Sequence, residues 1–342
     1  MKTKAIYPFT AIVGQEEMKT ALLLSIIMPT LGGVLIKGEK GTAKSTAVRA
    51  AAALLPHLQA VQGCACHCDP SVPELYCDAC CRRAEEGTIT AEEMPMRVVE
   101  LPVSATEDRV VGTLDMEAAI QHGCKEFEPG ILAAANRNIL YVDEINLLED
   151  HIVDILLDSA AMGVNTVERE GISYAHPARF VLVGTMNPEE GDIRPQLLDR
   201  FALSVTVAGE AAPETRVEVI RRRIAYERDP DAFAAAYAGE QEQLRVQITE
   251  ARDRIASVEV PDAALDLAAQ ISLALGVDGH RADITLIKAG IAHAALMGRT
   301  TVTAEDLQRV SRLVLAHRLR RRPFEEGAAD WSVVDEILGA AL

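Results

Sequence analysis

One eight-residue stretch rules out most folds at the outset: Gly38-Glu39-Lys40-Gly41-Thr42-Ala43-Lys44-Ser45, which follows an apolar run at Gly33–Lys37 and opens an Ala/Val-rich helical segment. A strand that stops at a small-residue turn and restarts as a helix aims backbone N–H groups and the positive helix end at one point, which suits a phosphate chain. Lys44 is then placed to reach β- and γ-phosphates and the Ser45 hydroxyl to bind Mg²⁺, with Gly38, Glu39, Lys40, Gly41, Thr42 and Ala43 as the cradle. Ala43 stands where the general pattern has glycine. Alanine tolerates positive φ poorly, so the loop backbone is the point to check there.

Such a loop belongs to a parallel sheet covered by helices, and the chain supplies the strands. Gly33–Lys37, Arg97–Pro102, Ile139–Val142, Arg179–Thr185 and Leu203–Val207 are short β-branched runs, several apolar on both faces as buried parallel strands are. From about Ala211 the β signal fades and helical spacing takes over. The expected organisation is an α/β nucleotide-binding domain over residues 1–208 and a smaller all-helical domain over 209–342. Residues 63–95, 104–130 and 165–177 interrupt the scheme, and the alternation in the last predicts a hairpin.

Three further features converge on the loop. The run Ile139-Leu140-Tyr141-Val142 ends in Asp143-Glu144, where one carboxylate can hold the Mg²⁺ water shell and the second can act as general base on the attacking water. We expect Asp143 in the first role and Glu144 in the second. Another buried run ends at Met186-Asn187-Pro188, so the Asn187 amide could orient that water, unless the pair only forms a turn. The segment Arg194-Pro195-Gln196-Leu197-Leu198-Asp199-Arg200-Phe201 presents Arg200 as a charge that could neutralise a neighbouring subunit's γ-phosphate; the other reading is an ion pair within the chain.

Composition narrows the function. A net charge of −17 disfavours a protein built to grip nucleic acid, since such affinity rests on Lys and Arg displacing counterions. The one dense basic cluster, Arg318, Arg320, Arg321 and Arg322, reads as a solvated helix end. The apolar stretch Ala21–Ile36 is broken by Pro29, Gly32 and Gly33, so no membrane insertion is expected, and Met1–Pro8 shows no cleavable signal. A cytoplasmic location is expected, where seven cysteines suggest metal ligands or buried thiols before disulfides.

Taken together, these residues resemble the AAA+ P-loop ATPases, and the likeness narrows to the I subunit of magnesium chelatase. It is carried by Tyr7-Pro8-Phe9-Thr10-Ala11-Ile12-Val13-Gly14-Gln15, Ala105-Thr106-Glu107-Asp108-Arg109-Val110-Val111-Gly112, Phe127-Glu128-Pro129-Gly130 and Asp143-Glu144-Ile145-Asn146-Leu147-Leu148. Asn165-Thr166-Val167-Glu168-Arg169-Glu170-Gly171 and Gly184-Thr185-Met186-Asn187-Pro188-Glu189-Glu190-Gly191 complete it, and it spans nearly the whole chain. The resemblance implies ATP and Mg²⁺ as ligands and a homo-oligomeric ring, a hexamer, with ATP between neighbours. It further implies an integrin-like-domain partner subunit and a large third subunit holding protoporphyrin IX and Mg²⁺. Asn187 becomes the first sensor, Arg200 the arginine finger and Arg281 the second sensor, touching phosphates from its own chain. Residues 104–130 become the helix-2 insert and 165–177 the hairpin before the first sensor.

An aromatic content of 4% leaves little to stack a macrocycle against, in keeping with a tetrapyrrole bound elsewhere. The neighbouring reading is the ATPase component of a cobalt chelatase in cobalamin synthesis, whose motifs are almost the same. A nucleic-acid motor of related architecture would carry basic residues at its hairpin tip, whereas this one offers Glu168, Arg169 and Glu170. By likeness to those chelatase I subunits that carry cysteines at similar places, Cys64, Cys68, Cys77 and Cys80 are the expected four ligands of a closed structural metal site. Zinc is the expected metal, with an iron–sulfur cluster or free thiols as the alternatives because thiolates suit both metals and spacing alone does not decide; Cys124 is expected to be a buried thiol.

Overall fold

Strands that are apolar on both faces need a helical layer on each side, and such strands set the centre of the molecule. The computed structural model describes residues 5–39, 41–115, 126–169, 172–277, 279–319 and 331–339. Lys40, Cys124, Glu170 and Arg320 to Arg322 lie outside the described residues. In chain order the strands are β1 (Val34–Gly38), β2 (Leu58–Val61), β3 (Ala91–Met94), β4 (Val98–Leu101), β5 (Gly112–Asp115), β6 (Glu126–Pro129), β7 (Ile139–Val142), β8 (Val164–Arg169), β9 (Ile172–Pro177), β10 (Val181–Met186) and β11 (Leu203–Val207). The helices of the α/β part are α1 (Glu16–Ile27), α2 (Lys44–Ala53), α3 (Asp78–Glu85), α4 (Glu107–Val111), α5 (Ile131–Ala135), α6 (Asp150–Met162) and α7 (Pro195–Leu198). They are followed by α8 (Pro213–Arg228), α9 (Pro230–Ala236), α10 (Ala238–Arg254), α11 (Asp262–Ala274), α12 (Arg281–Leu296), α13 (Ala304–Leu315) and α14 (Ser332–Gly339).

The main sheet has the order β11-β1-β10-β7-β4 and is parallel throughout, with Val34 opposite both Val183 and Leu203, and Ile139 opposite both Val181 and Val98. Alternate residues serve opposite layers. Val34, Ile36, Ile139, Tyr141, Val181 and Val183 face α1, α2 and the C-terminal helices in one core. Leu35, Leu140, Val142 and Leu182 face the other core, which is closed by Ile152 and Leu156 of α6 with Phe180 and Phe201. The C-terminal ends of β1, β7 and β10 therefore meet at one edge, where ligands of open α/β sheets bind.

The strands follow the sequence expectation with shifted ends. The run at Arg97–Pro102 shortens to β4, and proline has no N–H for a ladder. The run at Arg179–Thr185 begins only at Val181, because the Arg179 N–H is used by Asn136 Oδ1 at 2.9 Å. Residues 63–95, in which the sequence shows no periodicity, hold a turn, α3 and β3, which pairs antiparallel with β2. The segment 104–130 contributes α4 and the β5/β6 pair, and β8 and β9 form the predicted hairpin with Val164 opposite Pro177. The two hairpins are in contact, with the Phe127 ring stacked on Tyr174 at 4.0 Å between centroids.

Beyond β11 the described residues are helical apart from one isolated bridge between Glu259 and Thr301. Ile248, Leu286 and Leu307 of these helices share the core of α1 and α2. Arg318, expected to be a solvated helix end, is instead 8% exposed. Its guanidinium donates to the carbonyls of Asp199 (3.1 Å), Phe201 (2.6 Å), Ala202 (3.2 Å) and Val314 (2.5 Å). The reason is the company it finds: a turn before β11 whose carbonyls point away from the sheet ladder and need donors.

Candidate functional site

The glycine-rich loop leaves β1 and enters α2 as the sequence pattern requires. Gly41 has φ 87° and Ala43 has φ 59°, ψ 18°, so the alanine does take up the left-handed conformation. That conformation costs a non-glycine residue about 1–2 kcal/mol. Gly38 cannot be enlarged, since a Cβ would meet the Val207 carbonyl oxygen at 2.2 Å. The Lys44 ammonium donates to the Gly38 and Glu39 carbonyls, the latter at 3.1 Å, and Thr42 Oγ1 donates to Glu39 O at 2.8 Å.

The loop borders a cleft of about 750 Å³. Gly41, Thr42, Ala43, Lys44 and Ser45 line one side, and Asp143, Glu144 and Asn187 come in from the ends of β7 and β10. Tyr7, Ile12 and Val13 from the N-terminal segment and Val219 and Ile220 from α8 add apolar surface, and Arg216 and Arg223 add charge. Val219 and Ile220 are 42% and 58% exposed, an apolar wall suited to a flat heterocycle next to a phosphate cradle.

The two carboxylates are set by neighbours that the sequence did not single out. Asp143 Oδ1 accepts from Thr185 Oγ1 at 2.5 Å and from the Tyr141 hydroxyl at 3.0 Å. Thr185 Oγ1 also accepts the Glu144 N–H at 3.3 Å, so one hydroxyl fixes both acids. Glu144 has φ 55°, a left-handed turn that swings its side chain off the strand line. Burial raises the Tyr141 hydroxyl above its ordinary pKa, which keeps it a donor to Asp143. Period two was the available signal: Tyr141 precedes Asp143, and Thr185 precedes Asn187, on the same strand face. Asn187 is buried and its Oδ1 accepts from Glu189 N–H at 3.3 Å, which leaves Nδ2 as its donor toward the cleft. Arg216 and Arg223 carried no motif, and only the packing of α8 reveals them.

Arg200 and Arg281 do not line this cleft. Arg200 bonds to Asp154 and Asp158, one turn apart on α6, so the ion pair within the chain exists. Arg281, expected over phosphates of its own chain, pairs with Asp199 at 2.7 Å. Asp199 also accepts from Arg318 at 3.3 Å, which joins the segment before Arg200 to the start of α12 and to the residues after α13.

A second constellation lies in the insert. The sulfurs of Cys64, Cys68, Cys77 and Cys80 all lie within 4.8 Å of one another. Cys66 is buried beside them, while Cys81 is exposed. Hydrogen bonds from Cys66, Cys68 and Cys77 hold Cys64 far below the usual thiol range, and the bond to Cys64 pushes Cys68 far above it.

Comparison with known proteins bears on both parts of the chain. Residues 112–196 match the family model for magnesium chelatase, subunit ChlI, and residues 265–337 the model for the AAA lid domain. A magnesium-chelatase subunit ChlI homolog of Methanocaldococcus jannaschii is 54% identical over 94% of this chain and 87% of its own. Magnesium-chelatase 38 kDa subunits of Acidiphilium rubrum and Rhodobacter capsulatus are 54% and 53% identical, over 95% and 96% of this chain and 94% and 92% of theirs. Among solved structures, a chain of the complex between the BchI and BchD subunits of magnesium chelatase matches at 52% identity and TM-score 0.57, covering 98% of this chain and all of its own. A Cytophaga hutchinsonii protein assigned as an ATPase shares the fold at TM-score 0.62 and 19% identity, over 97% of this chain and 91% of its own.

Proposed function

The chain belongs to the magnesium chelatase subunit ChlI family of AAA+ ATPases, and from that premise we propose how its residues work. It is the ATP-hydrolysing motor that drives Mg²⁺ insertion into protoporphyrin IX. Residues 1–208 form the ATPase body and 209–342 the lid. The observation that carries this reading is the meeting of Lys44, Ser45, Asp143, Glu144 and Asn187 in one cleft.

The apolar wall of Val219 and Ile220 takes the adenine, and the N–H groups at the start of α2 take the phosphates. Lys44 exchanges its carbonyl partners for phosphate oxygens. Ser45 and Asp143 would hold the nucleotide's Mg²⁺, which supplies charge neutralisation at the γ-phosphate. Their fit rests on the donor set: a hydroxyl, and a carboxylate fixed by Tyr141 and Thr185 that keeps its other oxygen for a hard cation. Glu144 takes the proton of the attacking water, which Asn187 Nδ2 orients. Arg200 neutralises charge on the γ-phosphate bound by the adjacent subunit of a hexameric ring, and Asp154 and Asp158 hold it until that contact forms. Arg281 leaves Asp199 for phosphate when the lid closes.

Water leaves Mg²⁺ reluctantly, so a motor that strains its partners assists chelation at a distance. The partners are an integrin-like-domain subunit of the BchD type and a large porphyrin-binding subunit, acting in the cytoplasm. No helix among the described residues is long and apolar enough to cross a membrane. The test is ATP-dependent chelation by the purified three-subunit system, comparing Mg²⁺ with Co²⁺ and wild type with Glu144→Gln. Wild type should insert Mg²⁺, while Glu144→Gln should bind ATP and lose turnover by about a hundredfold or more. Insertion of Co²⁺ alone would assign the chain to cobalamin synthesis, and unchanged hydrolysis by Glu144→Gln would remove it as the base.

A further inference from the structure

The cysteine insert has no part in the nucleotide chemistry, yet it buries a compact cluster of thiols outside the cleft. Cys68, Cys77 and Cys80 are 1%, 3% and 1% exposed, and Cys64 is half-buried at the mouth. The sulfurs come from two short turns. One lies between β2 and the rest of the insert, where Cys64 N–H donates to Val61 O at 3.0 Å and His67 N–H to Cys64 O at 3.1 Å. The other is the start of α3, which Cys77 precedes and Cys80 follows by one turn. Four thiols held this close in the dark of a small core gain little from packing alone. Four thiolates could not coexist there without a cation, because like charges in a low-dielectric site repel.

Geometry separates the occupants. A disulfide needs about 2.05 Å between sulfurs, and the Cys64 and Cys77 sulfurs stand 3.8 Å apart. Zn–S bonds near 2.3 Å place the sulfurs of a tetrahedral site ~3.8 Å apart, the spacing of the Cys64 and Cys77 sulfurs and within the 4.8 Å that bounds all four. An iron–sulfur cluster spreads its cysteines over several irons and so demands a wider set than one confined within 4.8 Å. The Cys77 N–H donates to Cys68 Sγ at 3.3 Å, the kind of outer contact that orients a thiolate ligand.

We propose that Cys64, Cys68, Cys77 and Cys80 bind one zinc ion as a closed structural site that fastens the insert to the lead-in of β7. That lead-in is Asn136-Arg137-Asn138, and the insert holds it from several sides. Asn136 Nδ2 donates to Cys66 O at 2.6 Å, and Arg137 Nη1 donates to Gln59 O at 2.6 Å and His67 O at 3.3 Å. Arg137 Nη2 pairs with Asp69 at 2.7 Å. Ala133 of α5 packs against the cysteine cluster itself. β7 then runs directly to Asp143 and Glu144, so the metal braces the far end of the strand that carries both acids. The inference does not depend on the ATPase reading, and its measurements do not use activity.

The full-length protein, produced with zinc supplied and desalted, should carry close to one equivalent of zinc by mass spectrometry of metals. Stripping with a strong zinc chelator should lower the melting temperature by about 5 °C or more, with recovery on adding zinc alone. Co²⁺ loaded into the stripped protein should give the intense visible bands and thiolate charge-transfer absorption of a four-sulfur tetrahedral site. Cys64→Ser, Cys68→Ser, Cys77→Ser and Cys80→Ser should each retain at least tenfold less zinc against a competing chelator, whereas Cys66→Ser and Cys81→Ser should match wild type. If the ligand variants fail to fold, the Co²⁺ spectrum of the wild type still decides. Less than about a tenth of an equivalent of zinc, iron with a cluster spectrum, loss of all free thiols to disulfides, or a Co²⁺ spectrum without thiolate bands would each overturn the assignment.

Discussion

Asp143 and Glu144 are consecutive, yet a single left-handed residue gives them different tasks. Asp143 stays in line with β7 and is fixed by Tyr141 and Thr185, while Glu144, at φ 55°, turns aside with its N–H on the same threonine. Ala43, in the loop, is another non-glycine residue of the cleft in the left-handed region, at φ 59°. A residue with a Cβ is strained in that conformation and glycine is not, so Ala43→Gly should raise stability by about 0.5–1 kcal/mol at an unchanged fold. Urea unfolding of the isolated chain measures it, and a midpoint at or below wild type would show that the alanine is not strained there. The loop and the adjacent acids were legible in the sequence because their chemistry is local. Thr185 and the cleft-lining Arg216 and Arg223 were not, since nothing in a single strand or helix says what another will bring beside it.

At the scale of elements, the pairing of α6 with the segment after α7 decides what Arg200 can do. Asp154 and Asp158 lie one turn apart on α6 and grip the guanidinium from one side, so its position is fixed outside its own cleft. An arginine so placed can serve a neighbour. Rings of Arg200→Ala subunits should therefore bind ATP but hydrolyse it at least a hundredfold more slowly, and mixing them with Lys44→Ala subunits should restore turnover at mixed interfaces. Steady-state hydrolysis across mixing ratios reads the effect; no recovery at any ratio would confine Arg200 to holding α6. The five strands of the main sheet and the β8/β9 hairpin were anticipated by their residue patterns, whereas β5 and β6 in 104–130 and the β2/β3 ribbon and α3 were not, being too short to show a period.

For the whole molecule, Arg318 is the joint between the helical part and the sheet. Burial lowers its pKa to about 10, which still leaves it charged near neutrality, and its cost is offset by the carbonyls of Asp199, Phe201 and Ala202 and by the Asp199 carboxylate. Arg318→Met would take this donor from the Asp199 and Ala202 carbonyls, while Phe201 O keeps His317 and the Asp199 carboxylate keeps Arg281, and should destabilise the chain by about 3 kcal/mol by urea unfolding. A change under about 0.5 kcal/mol would mean water replaces the guanidinium at no loss. The sequence by itself determined the five-stranded α/β core, the phosphate loop and the adjacent acids, because periodicity and a strand–loop–helix turn are properties of contiguous residues. Only the tertiary structure decided that Arg318 is buried, that Arg281 rests on Asp199 and that the sulfurs of the four cysteines grouped by the resemblance come within 4.8 Å of one another. Those depend on which carbonyls, acids and thiols the packing of distant segments leaves facing each other, and no local pattern encodes that.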